Sequence, residues 1–142
     1  MNKLNAVSEI TLTAIQNIPE INAGDEIASI INQCIEAQEF SLKNNDVIVI
    51  AQKIISKSED RFVDLKTVKP TDRATKLSKE VDKDPRLVEL ILQESNQIIR
   101  ASKGILVVEH KLGHILANAG IDRSNVGRTD DHVLLLPKNP DE

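Results

Sequence analysis

Asp46-Val47-Ile48-Val49-Ile50-Ala51-Gln52-Lys53-Ile54-Ile55-Ser56-Lys57 is the stretch on which the reading of the fold turns. Four aliphatic residues in a row, after the turn chemistry of Lys43-Asn44-Asn45-Asp46, read as a short strand at Val47–Ile50 buried on both faces. Ala51–Lys57 then leaves that strand and sets Gln52, Lys53 and Lys57 near its C-terminal end. In α/β sheets this is the edge where ligands gather.

Toward the N-terminus, Ile10, Leu12 and Ala14 alternate with Thr11 and Thr13, so Glu9–Ile15 reads as a strand that Asn17-Ile18-Pro19 ends. Gly24-Asp25 supplies a turn and an N-cap, and Ile27, Ile30, Ile31, Cys34 and Ile35 recur at helical spacing to about Glu39. Toward the C-terminus, Arg61–Leu65 reads as a short strand. Helices follow at Thr71–Val81 and Pro85–Ala101, the second with Asp84 as N-cap and Pro85 at its first position. Gly104–Glu109 and Ile115–Ala117 read as a hairpin around His110–His114, and His132–Leu136 as a final strand. The alternation predicts one α+β (mixed α/β) domain over residues 1–142, a mixed sheet with flanking helices.

A chain of 142 residues can bury roughly two-thirds of its unfolded surface. Its core must be aliphatic, because Phe40 and Phe62 are the only aromatic residues. A net charge of -4 argues against a nucleic-acid surface, which needs a dense cationic footprint, and exposed aromatics for base stacking are lacking. An anionic nucleotide needs only a few placed Lys residues and backbone N–H groups. Cys34 is the single cysteine, which excludes an intrachain disulfide and a multi-cysteine zinc site and fits a reducing, cytoplasmic setting. The start, MNKLNAVSEI, lacks the apolar core of a signal peptide, and no run is long enough to span a membrane, so a soluble protein is expected.

Asn118-Ala119-Gly120-Ile121-Asp122-Arg123-Ser124-Asn125-Val126-Gly127 packs a carboxylate, a guanidinium, a hydroxyl and two amides into ten residues after a strand. Gly120 and Gly127 allow positive φ or close backbone approach to a ligand, and a hard divalent cation favours carboxylate oxygens. The plainer reading is an Asx-rich turn in which Asp122 and Asn125 bond their own backbone. Likewise Gln52, Lys53 and Lys57 suit phosphate oxygens, or simply protect a sheet edge. Asp82, Asp84, Glu89 and Glu94 read as the solvated faces of two helices. His110 and His114 are four apart across a turn, so they do not share a helical face as zinc ligands would. No Gly-x-x-x-x-Gly-Lys-Ser/Thr loop occurs, and Cys34 reads as core.

Three blocks, Asp46–Lys57, Asp84–Leu92 and Ala117–Val126, taken in this order, resemble the coenzyme F-420 gamma-glutamyl ligase family, and the likeness runs from about Ile10 to Asp141 as its N-terminal portion. The resemblance implies an α+β fold in an intertwined homodimer. It also implies amide ligation in which GTP activates a carboxylate of the deazaflavin precursor as an acyl phosphate and the L-glutamate amine displaces phosphate. Mg²⁺ or Mn²⁺ and a monovalent cation such as K⁺ would assist. Transferred residue by residue, it implies nucleotide contacts at Ile18, Pro19, Glu20 and Ile21, at Gln52 and Lys53, a phosphate lysine at Lys57, a guanine-nucleotide amide at Asn125 and a divalent-metal carboxylate at Asp122. Glu20 stands where the family has an apolar residue.

Family members continue into a second portion with an Asp-Thr metal pair and a glycine-rich nucleotide segment, neither of which occurs in this sequence. The resemblance therefore implies half a site, completed by a C-terminal portion or a separately encoded C-terminal partner. Two alternatives stand beside it: a non-catalytic module that kept the fold and binds a small ligand or protein, and a ligase acting on another carboxylated substrate.

Overall fold

Local chemistry sets where the helices begin. Thr71 Oγ1 accepts from the Ala74 N–H at 3.2 Å and opens α3 (Asp72–Val81). Asp84 Oδ1 accepts from the Arg86 N–H at 2.8 Å and, with Pro85 in the first turn, opens α4 (Pro85–Gln93). Each side-chain oxygen satisfies a backbone donor that the helix itself leaves unpaired. The earlier helices α1 (Ile27–Ala37) and α2 (Gln52–Ser58) start without a side-chain cap, and Glu26 rather than Asp25 holds the position before α1.

The computed structural model describes residues 10–38, 40–123 and 131–140. They contain four α-helices and two antiparallel sheets, which makes the fold α+β as the sequence predicts. One sheet pairs β1 (Phe62–Asp64) with β5 (His132–Leu134). The other orders β2 (Ser95–Ser102), β3 (Ile105–His110) and β4 (Ile115–Ala117) as a meander. The expected single mixed sheet is thus replaced by two antiparallel ones. No helix among the described residues is long and apolar enough to cross a membrane.

The chain divides into two compact units, Met1–Glu20 with Glu26–Val47, and Ile21–Asp25 with Ile48–Glu142. In the first, α1 buries Ile31 and Ile35 along the predicted stripe, and Cys34, only partly buried, sets its Sγ 3.6 Å from the Asn17 carbonyl. The Lys43–Asp46 turn forms as expected, with Asp46 Oδ2 accepting from the Lys43 N–H at 2.8 Å.

In the second unit, one face of β3 supplies Leu106 and Val108 to a core built with Ala74 and Val81 of α3 and Leu87, Val88 and Ile91 of α4. Leu65, Leu90, Val133 and Leu135 form a second cluster, and Ile121 packs against both. Glu89, expected on a solvated face, is 6% exposed instead. Its carboxylate accepts from the Thr71 N–H at 2.8 Å, Thr71 Oγ1 at 2.7 Å and Gln93 Nε2 at 3.0 Å. The Thr71 bonds hold this carboxyl below the usual glutamate range.

Three sequence expectations are corrected. The helix expected over Pro85–Ala101 ends at Gln93, and Ser95–Ser102 is β2. Bulges between Ser95 and Gln97 and between Ile98 and Arg100 break the period of two, which leaves Ile98 and Ala101 at a spacing that mimics a helix. Ala51–Lys57 is largely helical, as α2. Residues 10–15 and 47–50 belong to no ladder among the described residues, and Val47–Ile50 is exposed rather than buried on both faces. Strand propensity describes a fit to a neighbouring strand, and neither segment has one here.

Glu89→Ala is expected to lower stability by about 2 kcal/mol, the scale of hydrogen bonds to a charged group, as read by urea unfolding. Because the folded-state pKa is depressed, Glu89 contributes fully above the ordinary glutamate value of 4.5 and loses that contribution as pH falls below it. Glu89→Gln should therefore flatten the acid limb of the stability curve relative to wild type.

Candidate functional site

Four of the candidates, Gln52, Lys53, Lys57 and Asp122, lie where α2 meets β5. Asp122 is fixed through its backbone, which exchanges two 2.9 Å hydrogen bonds with Leu134 as an antiparallel bridge. Its carboxylate faces α2, where Lys53 Nζ lies 2.6 Å from Asp122 Oδ2. Lys57 follows Lys53 by one turn, so the two lysines share a helix face. The Gln52 amide donates to Ser56 Oγ along the same helix. Lys53 and Asp122, predicted for different roles, thus stand side by side in a partly exposed setting.

The approach to Asp122 is unusual. Asn118, Ala119 and Gly120 take φ of 53°, 54° and 69°, a left-handed turn through two residues that carry a Cβ. Such backbone costs on the order of 1–3 kcal/mol per non-glycine residue and persists only where the surroundings impose it. Ala119 is fully buried in the first core cluster, and a Cβ at Gly120 would lie 2.9 Å from the Leu136 side chain. Gly120 therefore serves close packing against Leu136 as well as the turn. The Asn118 Oδ1 is buried without a hydrogen-bond partner among the described residues.

On the far side, Asp131 accepts Lys66 at 3.1 Å and Arg86 at 3.3 Å, and its carbonyl accepts from the Leu65 N–H at 2.8 Å. Lys66, then Arg86, hold this carboxyl below the usual range. Arg86 does the same to Asp84. The chain is pinned on both sides of residues 124–130. Asn125, the predicted guanine amide, and Gly127 lie outside the described residues.

The first predicted nucleotide segment divides between the two units, Ile18, Pro19 and Glu20 in one and Ile21 in the other. Ile21 is buried, so its contact with any ligand would have to be through its backbone. His110 is buried, accepts from the Leu112 N–H at 3.0 Å through Nδ1, and therefore carries its proton on Nε2, 3.7 Å from Glu94. Burial pushes its pKa down, with Glu94 opposing. Glu94, expected on a solvated face, is instead largely covered and bonded to Arg61. Sequence reasoning missed Arg61 altogether, since a lone arginine beside a short strand carries no motif.

Among the described residues, no three His, Cys, Asp or Glu side chains gather as a metal-holding group. Asp122 offers one carboxylate, already facing an ammonium, so these residues do not by themselves fit a divalent cation.

Among the described residues, α2 thus sets Lys53 against the bridged Asp122 carboxylate, with Lys57 one turn further on. The model of the F420-0:Gamma-glutamyl ligase family matches residues 16–142, and the chain belongs to that family. It is 40% identical over 132 residues to the coenzyme F420:L-glutamate ligase of Methanothermobacter thermautotrophicus, covering 93% of this chain and 52% of the relative. The protein of the same name from Methanococcus maripaludis strain C6 is 39% identical over 127 residues, covering 88% and 48%. That from Natronomonas pharaonis is 36% identical over 133 residues, covering 89% and 49%. The chain spans about half the length of these curated relatives.

A double-mutant cycle of Lys53→Met and Asp122→Asn is expected to give a coupling below about 1 kcal/mol, because the pair is partly solvated and the Asp122 backbone bridge survives both changes. A coupling of several kcal/mol in thermal or urea unfolding would mark the pair as a structural element instead.

Proposed function

We propose that this chain contributes one wall of the site of a GTP-dependent ligase that joins L-glutamate to a deazaflavin coenzyme F420 precursor. Family membership supports the reaction class, and the relatives' shared name supports the substrates. The observation that carries the residue assignment is Lys53 Nζ at 2.6 Å from Asp122 Oδ2, with Lys57 one turn further on. A carboxylate that accepts an ammonium could instead ligate a cation that carries a phosphate, with the lysine then binding a phosphate oxygen.

In this reading the γ-phosphoryl group passes from GTP to a substrate carboxylate, releasing GDP and forming an acyl phosphate. The glutamate amine attacks that carbonyl, the C–O bond to phosphate breaks, and an amide, phosphate and a proton result. Catalysis of such transfers comes mainly from positioning and from cations that offset phosphoryl charge. Lys57 and Lys53 supply part of that charge, Asn125 reads the guanine nucleotide, and the Ile18–Ile21 segment lines the nucleotide. Asp122 would hold Mg²⁺ or Mn²⁺ only together with ligands from outside these residues, and the cation would then offset phosphoryl charge. K⁺ would add charge in the same region. A second polypeptide body, either another copy or the remaining half of the family's length, completes the assembly.

Calorimetric titration of GTP with Mn²⁺ into this chain combined with the other half of the Methanothermobacter relative tests the assignment. Lys57→Ala and Asp122→Ala should each weaken binding at least tenfold, about 1.4 kcal/mol. Unchanged affinity in both variants contradicts it, and GTP-dependent turnover by this chain alone contradicts the half-site reading.

A further inference from the structure

Lys53 Nζ stands 2.6 Å from Asp122 Oδ2, with 37% and 27% of the two side chains exposed. The carboxylate is anchored, because two 2.9 Å hydrogen bonds hold the Asp122 backbone to Leu134. The ammonium owes its place less to its own helix. Lys53 is the second residue of α2, where backbone N–H groups without a partner inside the helix carry positive partial charge, and no acidic residue shares that first turn. Asp122, across the fold, is what favours an ammonium there.

Such a pair changes what the carboxylate can bind. A hard divalent cation sits about 2.1 Å from a carboxylate oxygen. On Asp122 it would stand beside the Lys53 ammonium, and like charges that close repel even where solvent screens them. An anion acts in the opposite sense. A phosphate oxygen offers the lysine a more highly charged partner, and an ion pair this exposed is weak enough to open. With the ammonium drawn away, the carboxylate regains its affinity for a cation, and linkage then makes cation and anion strengthen each other.

We infer that Lys53 is a resident counter-ion that bars a free divalent cation from Asp122, so that at this carboxylate the metal cannot precede an anion. Lys53 pairs with Asp122 first and with the anion afterwards, which sets an order of binding. Among the described residues, no group of three His, Cys, Asp or Glu side chains gathers to outweigh the ammonium. The inference rests on the ligase reading in one respect, that the anion is a nucleotide phosphate; the exclusion of a free cation stands on the pair alone.

The test is Mn²⁺ binding to this chain without nucleotide, followed by the electron paramagnetic resonance of free Mn²⁺ and by calorimetry. Wild type should bind weakly, and Lys53→Met about tenfold more tightly, the scale for removing one adjacent positive charge. Lys53→Arg keeps the charge and should bind no more tightly than wild type. Adding Asp122→Asn to Lys53→Met should abolish the gain, which ties it to this carboxylate. Circular dichroism checks that each variant folds, and Lys53→Gln serves if the methionine variant does not.

Equal Mn²⁺ affinity in wild type and Lys53→Met overturns the inference. So does a gain that survives Asp122→Asn or is shared by Lys53→Arg. An Asp122-dependent gain alongside unchanged GTP affinity in Lys57→Ala and Asp122→Ala keeps the counter-ion and sinks the nucleotide assignment. Weakened GTP binding in those two variants, with no gain in Lys53→Met, does the reverse.

Discussion

Arg61 is the contact on which the geometry of the second unit depends. Its N–H donates to the Ser56 carbonyl at 2.9 Å, at the end of α2, and its carbonyl accepts from the Leu135 N–H at 3.1 Å. The side chain reaches further: Nε donates to the Leu136 carbonyl at 2.7 Å, and the guanidinium pairs with Glu94 where α4 gives way to β2. One nearly buried residue thus ties a helix, the β1–β5 pair and the α4–β2 junction. A planar guanidinium with five donors can do this, while an ammonium cannot match the directions. Burying such a charge is offset by the Glu94 carboxylate on Nη2 and the Leu136 carbonyl on Nε.

The placement of the candidate site follows from that tie. Arg61 fixes the C-terminal end of α2 against the strand that bridges Asp122, and Lys53 falls on the Asp122 carboxylate as a result. The left-handed turn at Asn118–Gly120 delivers the chain to Asp122 from the other side, packed against Leu136, whose carbonyl is one of the Arg61 acceptors. The two routes share one anchor. Core packing, left-handed backbone and the Asp122 carboxylate are therefore linked through Leu134–Leu136.

Much of this could be read from sequence where the signal is local. The cap at Asp84, the α1 stripe and the β3–β4 hairpin depend on neighbouring residues and appear as predicted. The strands expected at Arg61–Leu65 and His132–Leu136 found each other as β1 and β5, but other readings that needed a distant partner failed. Val47–Ile50 has strand composition without a strand beside it, and β2 hides its period behind two bulges. Glu89 and Glu94 looked like surface charge because nothing in their spacing announces Thr71, eighteen residues back, or Arg61, thirty-three back. For the site, residue types and the resemblance picked out Lys53, Lys57 and Asp122, and the structure adds the distance between two of them. Asn125 lies beyond the described residues, and Ile18–Ile21 straddles the two units.

Native-state hydrogen exchange on Arg61→Met tests whether Arg61 holds α2 in register with the Asp122 bridge. The variant is expected to lose about 3 kcal/mol of stability, the scale for unpairing a buried charge. The amides of α2 and the Asp122–Leu134 bridge should lose protection together, ahead of those in α3 and α4. Wild-type stability with undiminished protection in α2 and at Asp122 would show that Arg61 does not hold them.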